Sequence, residues 1–454
     1  MHFIGEERNP TDEQLYFALS RDGVHWRDLR PAGSPALTWL GGEKGVRDPH
    51  IVRDPRGGFH IVATDLSIYY RGGWGPNDGA TTNGSTGLVI WDSPDLVHWS
   101  EPRLVDVASK IPDAGMAWAP EANWDPDRGQ WIVFWSTKSN AESSADPLAN
   151  ELGDPTNVYY ATTVDFRVFS DPVKWIDRKN VIIDSTMLRD DGGWWYRASK
   201  DSEITIERTR NPYATTYEVL RTDDPNEWSY VGTLTDIFGN GRYSMHYLEG
   251  PELFRYNDED VKVINGRTMP FGLMCDQYAE SRGYLSFRAA SLASHDPADW
   301  QRADDIDFGA LKKRHGAILP ITAAEYDALV RDAVALHRRV LTEQQELVPF
   351  WPARLPDFDG DWLVVGLRHP SFLPSEDDDP CDYIIVWRRG GTPSVNVLLS
   401  EDCHIEQIFP NPAVPEHAPD AKPWTVERMD PETVRLNAAT SKQPSARIFA
   451  IRRA

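Results

Sequence analysis

Cysteine is scarce: Cys275, Cys381 and Cys403 are the only three in 454 residues. Thiols so few and so scattered cannot make a disulfide framework or a zinc site, so free thiols are expected, with a Cys381–Cys403 bridge as the alternative. No apolar run approaches the roughly 18 residues of a membrane span, and Met1-His2-Phe3-Ile4-Gly5-Glu6-Glu7 lacks the basic start and apolar stretch of a secretory leader. A soluble, cytoplasmic protein is therefore the expectation. Basic charge is also in deficit, with 47 Lys and Arg against 70 Asp and Glu, a formal charge of -23 and a pI near 4.9. Such a surface repels polyanions, which argues against nucleic acid or an anionic membrane as partner and favours a neutral ligand.

What the chain does have is tryptophan, 18 residues of it, and part of it marks an internal repeat. Ser20-Arg21-Asp22-Gly23-Val24-His25-Trp26 is echoed by Ser93-Pro94-Asp95-Leu96-Val97-His98-Trp99, with weaker copies ending at Trp175, Trp228 and Trp300. Each copy follows a strand-like run, and its Asp, Pro or Gly supplies a tight turn whose Trp can cover a sheet edge. Five copies predict an all-β fold, a five-bladed β-propeller. The blade opened by His315 stops after Ile321, so its outer strands are expected from Phe3 to Gly5 and the Trp26 hairpin, closing the ring through the two ends of one domain. From Thr322 the pattern turns helical, with Thr322 and Glu325 as a capping box and Tyr326, Leu329, Val330, Ala333, His337, Val340 and Leu341 on one face. After Glu346 alternation returns and predicts a small β-sandwich. The expected domains are a propeller with its trailing helix over 1–345 and an accessory sandwich over 346–454, a structural appendage rather than a sugar-binding module.

Several strands open on an ionisable residue beside Pro, Ser or Gly: Arg47-Asp48-Pro49, Trp118-Ala119-Pro120-Glu121, Ile183-Asp184-Ser185, Leu248-Glu249-Gly250-Pro251 and Arg314-His315-Gly316. Charge at the head of an apolar strand is costly to bury unless strand ends converge on a wet pocket. In a propeller the first strand of each blade lines the channel, which would make Asp48, Glu121, Asp184, Glu249 and His315 neighbours. Inverting hydrolysis of a glycosidic bond needs such a set: an acid for the leaving oxygen, a base for water, and a third carboxylate to raise the acid's pKa.

Those segments, in that order on a five-fold repeat, resemble glycoside hydrolase family 43 from about Phe3 to Ile321. The resemblance implies an inverting glycosidase with Asp48 as general base, Asp184 as pKa modulator and Glu249 as general acid. Asp184 is followed by Ser where many members have Pro, which puts the local loop in question. Glu121 stands where many members have Asp, as a sugar-hydroxyl partner and the chief rival for the acid. His315 resembles the axial histidine that helps hold a hydrated calcium or similar cation; no cofactor is needed for the chemistry. Arg47, Trp74, Trp118 and Arg282 complete the expected substrate-binding set.

Long stretches at Tyr69–Ser85 and Ser139–Asn157 suit pocket walls that admit one terminal sugar, hence exo action. The reading is an enzyme releasing terminal α-L-arabinofuranosyl, or a related furanose or pentose, from plant-type oligosaccharides or polysaccharides. A β-xylosidase or galactofuranosidase on the same scaffold, or a non-catalytic carbohydrate-binding propeller, are the alternatives. Retaining fructosidases share an Arg-Asp-Pro segment, but the Asn-Asp-Pro turn that they need is missing.

Overall fold

The computed structural model describes residues 1–5, 7–30, 35–75, 78–141, 156–178, 181–239 and 245–332, and beyond them 362–368, 382–388, 394–398, 403–409, 424–430, 433–438 and 445–453. The protein is mostly β. The chain divides into two compact units, Met1–Thr322 and Ala323–Ala454, against an expected boundary at 345/346. Among the described residues no helix is long and apolar enough to cross a membrane.

In the first unit a short pair, β1 (Ala18–Leu19) and β2 (Arg27–Asp28), precedes four antiparallel four-stranded sheets. The first holds β3 (Val46–Arg53), β4 (Phe59–Asp65), β5 (Gly87–Ser93) and β6 (Arg103–Asp106) in that order. The second holds β7 (Trp118–Asp125), β8 (Gln130–Lys138), β9 (Thr156–Thr163) and β10 (Val173–Ile176), and the third β11 (Ile182–Arg189), β12 (Trp195–Asp201), β13 (Glu203–Thr209) and β14 (Ser229–Thr233). The fourth starts at β15 (Glu249–Arg255), leaves for the hairpin β16 (Lys262–Ile264) and β17 (Arg267–Met269), and returns through β18 (Phe271–Asp276), β19 (Tyr284–Ala289) and β20 (Trp300–Arg302).

The inner strands are apolar on both faces because each sheet packs between neighbours. Along β8 the side chains alternate: Trp131, Val133 and Trp135 meet Val62, Leu88 and Ile90 of the sheet before, while Ile132 and Phe134 meet Met187 and Trp195 of the sheet after. Tyr196, Ile206, Leu253, Leu273 and Phe287 repeat the pattern between the third and fourth sheets. The first strands consequently stand side by side, β3 beside β7, β7 beside β11 and β11 beside β15. The ends of the unit also meet, through single bridges of Phe3 with Arg314 and His25 with Asp307.

The repeat turns are Asx turns: Asp22 accepts from the amides of Val24 and His25, and Asp95 from those of Val97 and His98. The matching turn in the second sheet is Asp165, which accepts from Arg167 and Val168, and not the Asp171-Pro172 stretch that the spacing to Trp175 selects. Trp175 and Trp228 do not cover edges either. Both are fully buried, with the Arg197 guanidinium 4.8 Å and 4.1 Å above their rings.

In the second unit residues 323–332 are helical with Tyr326, Leu329 and Val330 buried, the spacing of one helix face. Ala333 to Leu341, the linker after them and Cys381 lie outside the described residues. Two antiparallel sheets follow, in the orders β21-β22-β27-β24 and β23-β26-β25, made by β21 (Trp362–Arg368), β22 (Asp382–Arg388), β23 (Ser394–Leu398), β24 (Cys403–Phe409), β25 (Thr425–Asp430), β26 (Thr433–Asn437) and β27 (Ser445–Arg453). Val386, Ile405 and Phe449 of one share a core with Val397, Val434 and Leu436 of the other.

Candidate active site

The first strands of the four sheets share one irregularity. The register slips between Arg47 and His50, Trp118 and Glu121, Ile183 and Ser185, and Glu249 and Glu252. At each slip one residue is left-handed: Asp48 (φ 48), Ala119 (φ 51), Asp184 (φ 53) and Gly250 (φ 52). These are β-bulges, which re-aim side chains at the rims of sheets. Aligned on the bulge, Asp48, Ala119, Asp184 and Gly250 are equivalent, and His50, Glu121, Thr186 and Glu252 are equivalent two residues on. Glu249 precedes Gly250, in the place taken elsewhere by Arg47, Trp118 and Ile183.

His315 ties one tier together. Its Nδ1 is 3.2 Å from Asp48 Oδ1 and 3.9 Å from Asp184 Oδ2. Asp184 Oδ2 accepts from the Gly250 amide at 3.0 Å, beside Glu249. Thr64 Oγ1 donates to Asp48 Oδ2 at 2.9 Å and accepts from the Ala119 amide at 2.8 Å. Asp48, Asp184, Glu249 and His315 thus come together as the sequence places them. A Cβ on Gly250 would lie 2.6 Å from His315 Cγ, and its left-handed φ strains any other residue. Gly250→Ala is therefore expected to push His315 off the two aspartates, lowering kcat/KM at least ~10-fold and costing about 1–3 kcal/mol of stability; assay and thermal melt together check it.

The charges divide the labour. Burial raises the pKa of Asp48, but His315, Arg47 and Thr64 outweigh it and hold the carboxyl below its usual range. Burial, then repulsion from Asp184 and Asp276, pushes Glu249 up to about 8 against the pull of Arg314. Asp184 is raised by burial and by Asp48, less the attraction of His315. Burial alone would depress His315, yet Asp184, Asp48 and Glu249 carry it to about 9. At neutral pH the set is an ionised Asp48, a protonated Glu249 and an imidazolium between the aspartates. Arg314 spans Asp276 (2.6 Å) and Glu249 (3.2 Å).

Glu121 belongs to the other tier. It is 4% exposed, accepts from the Met187 amide at 3.2 Å and shares a hydrogen bond with Glu252, which ties it to β11 and β15. Burial and Glu252 raise its pKa, and burial raises Glu252 to about 7. Donor atoms of His50, Glu121 and Glu252 lie within 4.8 Å of one another, and His50 is held neutral, near 3, by burial and His315. These three could together hold a metal ion. His315, whose Nδ1 faces Asp48 and Asp184, lies outside this trio.

Two further expectations change. Arg47 is 6% exposed, clamped by Glu7 (2.7 Å) and Glu13 (2.8 Å), and lies 5.4 Å from the centre of the Trp74 ring, which it supports. Arg282 is exposed and pairs with Glu280 at 2.8 Å. Trp74 is 52% exposed, its indole N–H donates to Glu7 at 3.0 Å, and it meets Trp118 edge-on at 6.2 Å. Most of the Ser139–Asn157 stretch lies outside the described residues. Sequence reading missed Thr64, Asp276, Glu7 and Glu13. Glu252 alone left a signal, since Gly250-Pro251-Glu252 copies Ala119-Pro120-Glu121.

Residues 1–327 match a family model related to glycoside hydrolase family 43 and described as a probable glycosyl hydrolase domain. A curated α-L-arabinofuranosidase of Bifidobacterium longum subsp. longum is 30% identical over 253 residues, 51% of this chain and 22% of that protein. Among solved structures, an α-L-arabinofuranosidase from Lactobacillus brevis is 15% identical, covering 56% of this chain and 71% of that one with a TM-score of 0.35. An exo-β-1,3-galactanase from Clostridium thermocellum is 12% identical, covering 56% and 47%, with a TM-score of 0.36. The chain thus spans 22% of the length of the curated relative.

Proposed function

The chain belongs to the glycosyl hydrolases related to glycoside hydrolase family 43, and from that premise we propose an inverting, exo-acting glycoside hydrolase on a five-bladed β-propeller. It releases terminal α-L-arabinofuranosyl, or a related furanose or pentose, from plant-type oligosaccharides or polysaccharides. The observation that carries this is the division of protons: a buried Asp48 kept ionised beside His315 and a Glu249 kept protonated to about pH 8. Glu249 gives its proton to the glycosidic oxygen as that bond breaks. Asp48 takes a proton from the water that attacks the anomeric carbon from the opposite face. Asp184 binds the Gly250 amide and repels charge on Glu249, so it holds the acid in place and protonated. Trp74 and Trp118 form a wall for the terminal sugar.

The arabinofuranosyl specificity rests on the Bifidobacterium relative. A panel of nitrophenyl furanosides and pyranosides, with proton NMR of the first-formed anomer, tests both parts of the reading. Release of arabinofuranose with inverted configuration is expected. Turnover confined to a xyloside or galactoside would replace the sugar and keep the mechanism, and a retained anomer would reject the mechanism.

A calcium or similar cation would be held by His50, Glu121 and Glu252, where it offsets the buried carboxylates and takes no part in bond cleavage. Calcium is then expected to raise the melting temperature of the wild type and not of Glu252→Gln. Equal melting of the wild type in calcium and in chelator would remove the cation from this reading.

A further inference from the structure

We propose that Tyr247 and Tyr278 form a leaving-group subsite that stacks on a pyranose, so that the bond cleaved joins the terminal sugar to a pyranose chain. The inference rests on Glu249 being the general acid, because the leaving oxygen must then lie against Glu249 and the group that carries it against whatever flanks Glu249. Glu249 pairs with Asp276 across β15 and β18. Tyr247 stands two residues before Glu249 and Tyr278 two residues after Asp276, each in a 3-10 turn, Met245–Tyr247 and Tyr278–Glu280. Both residues therefore stand at the end of the sheet where Glu249 stands. They are 57% and 37% exposed, and burial, then Glu249 and Tyr247, raises the Tyr278 phenol, which puts all three within electrostatic reach.

The Tyr278 turn is pinned. Gln277 Nε2 donates to Gly283 O and Tyr284 O, each at 3.3 Å, Ser281 is left-handed at φ 51, and Lys312 Nζ donates to Ser281 Oγ at 2.9 Å. Lys200 Nζ lies 5.3 Å from the centre of the Tyr278 ring, so the ring is held from below as well. Rigid aromatic faces with phenol and ammonium groups at their margins match a pyranose chair, which offers a broad C–H face rimmed by hydroxyls. A furanose ring is smaller and more puckered and offers less of such a face.

Calorimetric titration of xylotriose and of β-1,3-galactotriose, with Asp48→Asn in every protein including the one wild type at the tyrosines, tests the subsite without turnover. One of the two is expected to bind the wild type, about ten-fold more weakly to Tyr278→Ala and to Tyr247→Ala, with Tyr278→Phe within about two-fold of wild type. Binding of neither sugar by the wild type, or undiminished binding by folded alanine variants, would overturn the proposal. Wild-type turnover of arabinosyl, xylosyl and galactosyl fluorides is measured in parallel, because fluoride departs without occupying this subsite. Failure there rejects the hydrolase reading, while the titration still decides the subsite.

Discussion

Asp48→Asn is expected to lower kcat/KM by about 10³-fold or more on every substrate, whatever the leaving group, with the fold intact. Asn keeps the shape and still accepts from Thr64 Oγ1, which now holds Asp48 Oδ2 at 2.9 Å, but it takes no proton from water. Removing a positioned base typically costs 10²–10⁴-fold, and Asp184, the nearest carboxylate, is occupied by the Gly250 amide. Loss of the Asp48 charge also lowers the pKa of His315, which Asp48 helps to raise. A thermal melt close to wild type together with absent turnover of nitrophenyl, fluoride and oligosaccharide substrates is the expected result. Activity within ten-fold of wild type would remove Asp48 from the reaction.

Glu249→Gln is expected to divide substrates instead. A sugar alkoxide leaves poorly without a proton, so oligosaccharide turnover should fall about 10³-fold, while a glycosyl fluoride should fall by ten-fold or less. The pH profile offers an independent check. Burial, Asp184 and Asp276 put the Glu249 pKa at about 8, and the protonated form is the active one, so wild-type kcat/KM is full below that value and declines as pH rises through it. In Glu249→Gln the residual fluoride turnover should lose this alkaline limb. A limb that persists near pH 8 in the variant would belong to another group. Equal losses on fluoride and oligosaccharide would make Glu249 a structural carboxylate.

Much of the tier around Asp48 is legible in the chain because its chemistry is local. A left-handed residue at a bulge favours Gly or a residue such as Asp that tolerates φ > 0, and Asp48-Pro49, Asp184-Ser185 and Glu249-Gly250-Pro251 show that preference in three or fewer residues, while Ala119 at φ 51 does not. The same local pattern misled at Glu121. Pro120-Glu121 resembles Asp48-Pro49 as a charge next to proline, but the charge follows the proline in one and precedes it in the other. Two residues along a bulged strand carry a side chain from one tier to the next. Arg47 and Arg282 misled for a different reason: an arginine's reach says nothing of its partner, and Glu7, Glu13 and Glu280 are distant or unremarkable in sequence.

The sequence by itself determined most of the strands and which charged strand heads come together, since alternation, turn chemistry and bulge chemistry are written over a few neighbouring residues. Tertiary structure alone decided the protonation states and the partners. The pKa of Glu249 depends on Asp184 and Asp276, 65 and 27 positions away along the chain, and the state of His315 depends on Asp48 and Asp184 closing on it from two sheets. Burial and Coulomb energy act through space and fall off with distance in the fold, not in the chain, so only the packed sheets could say which carboxyl keeps its proton and which gives it up.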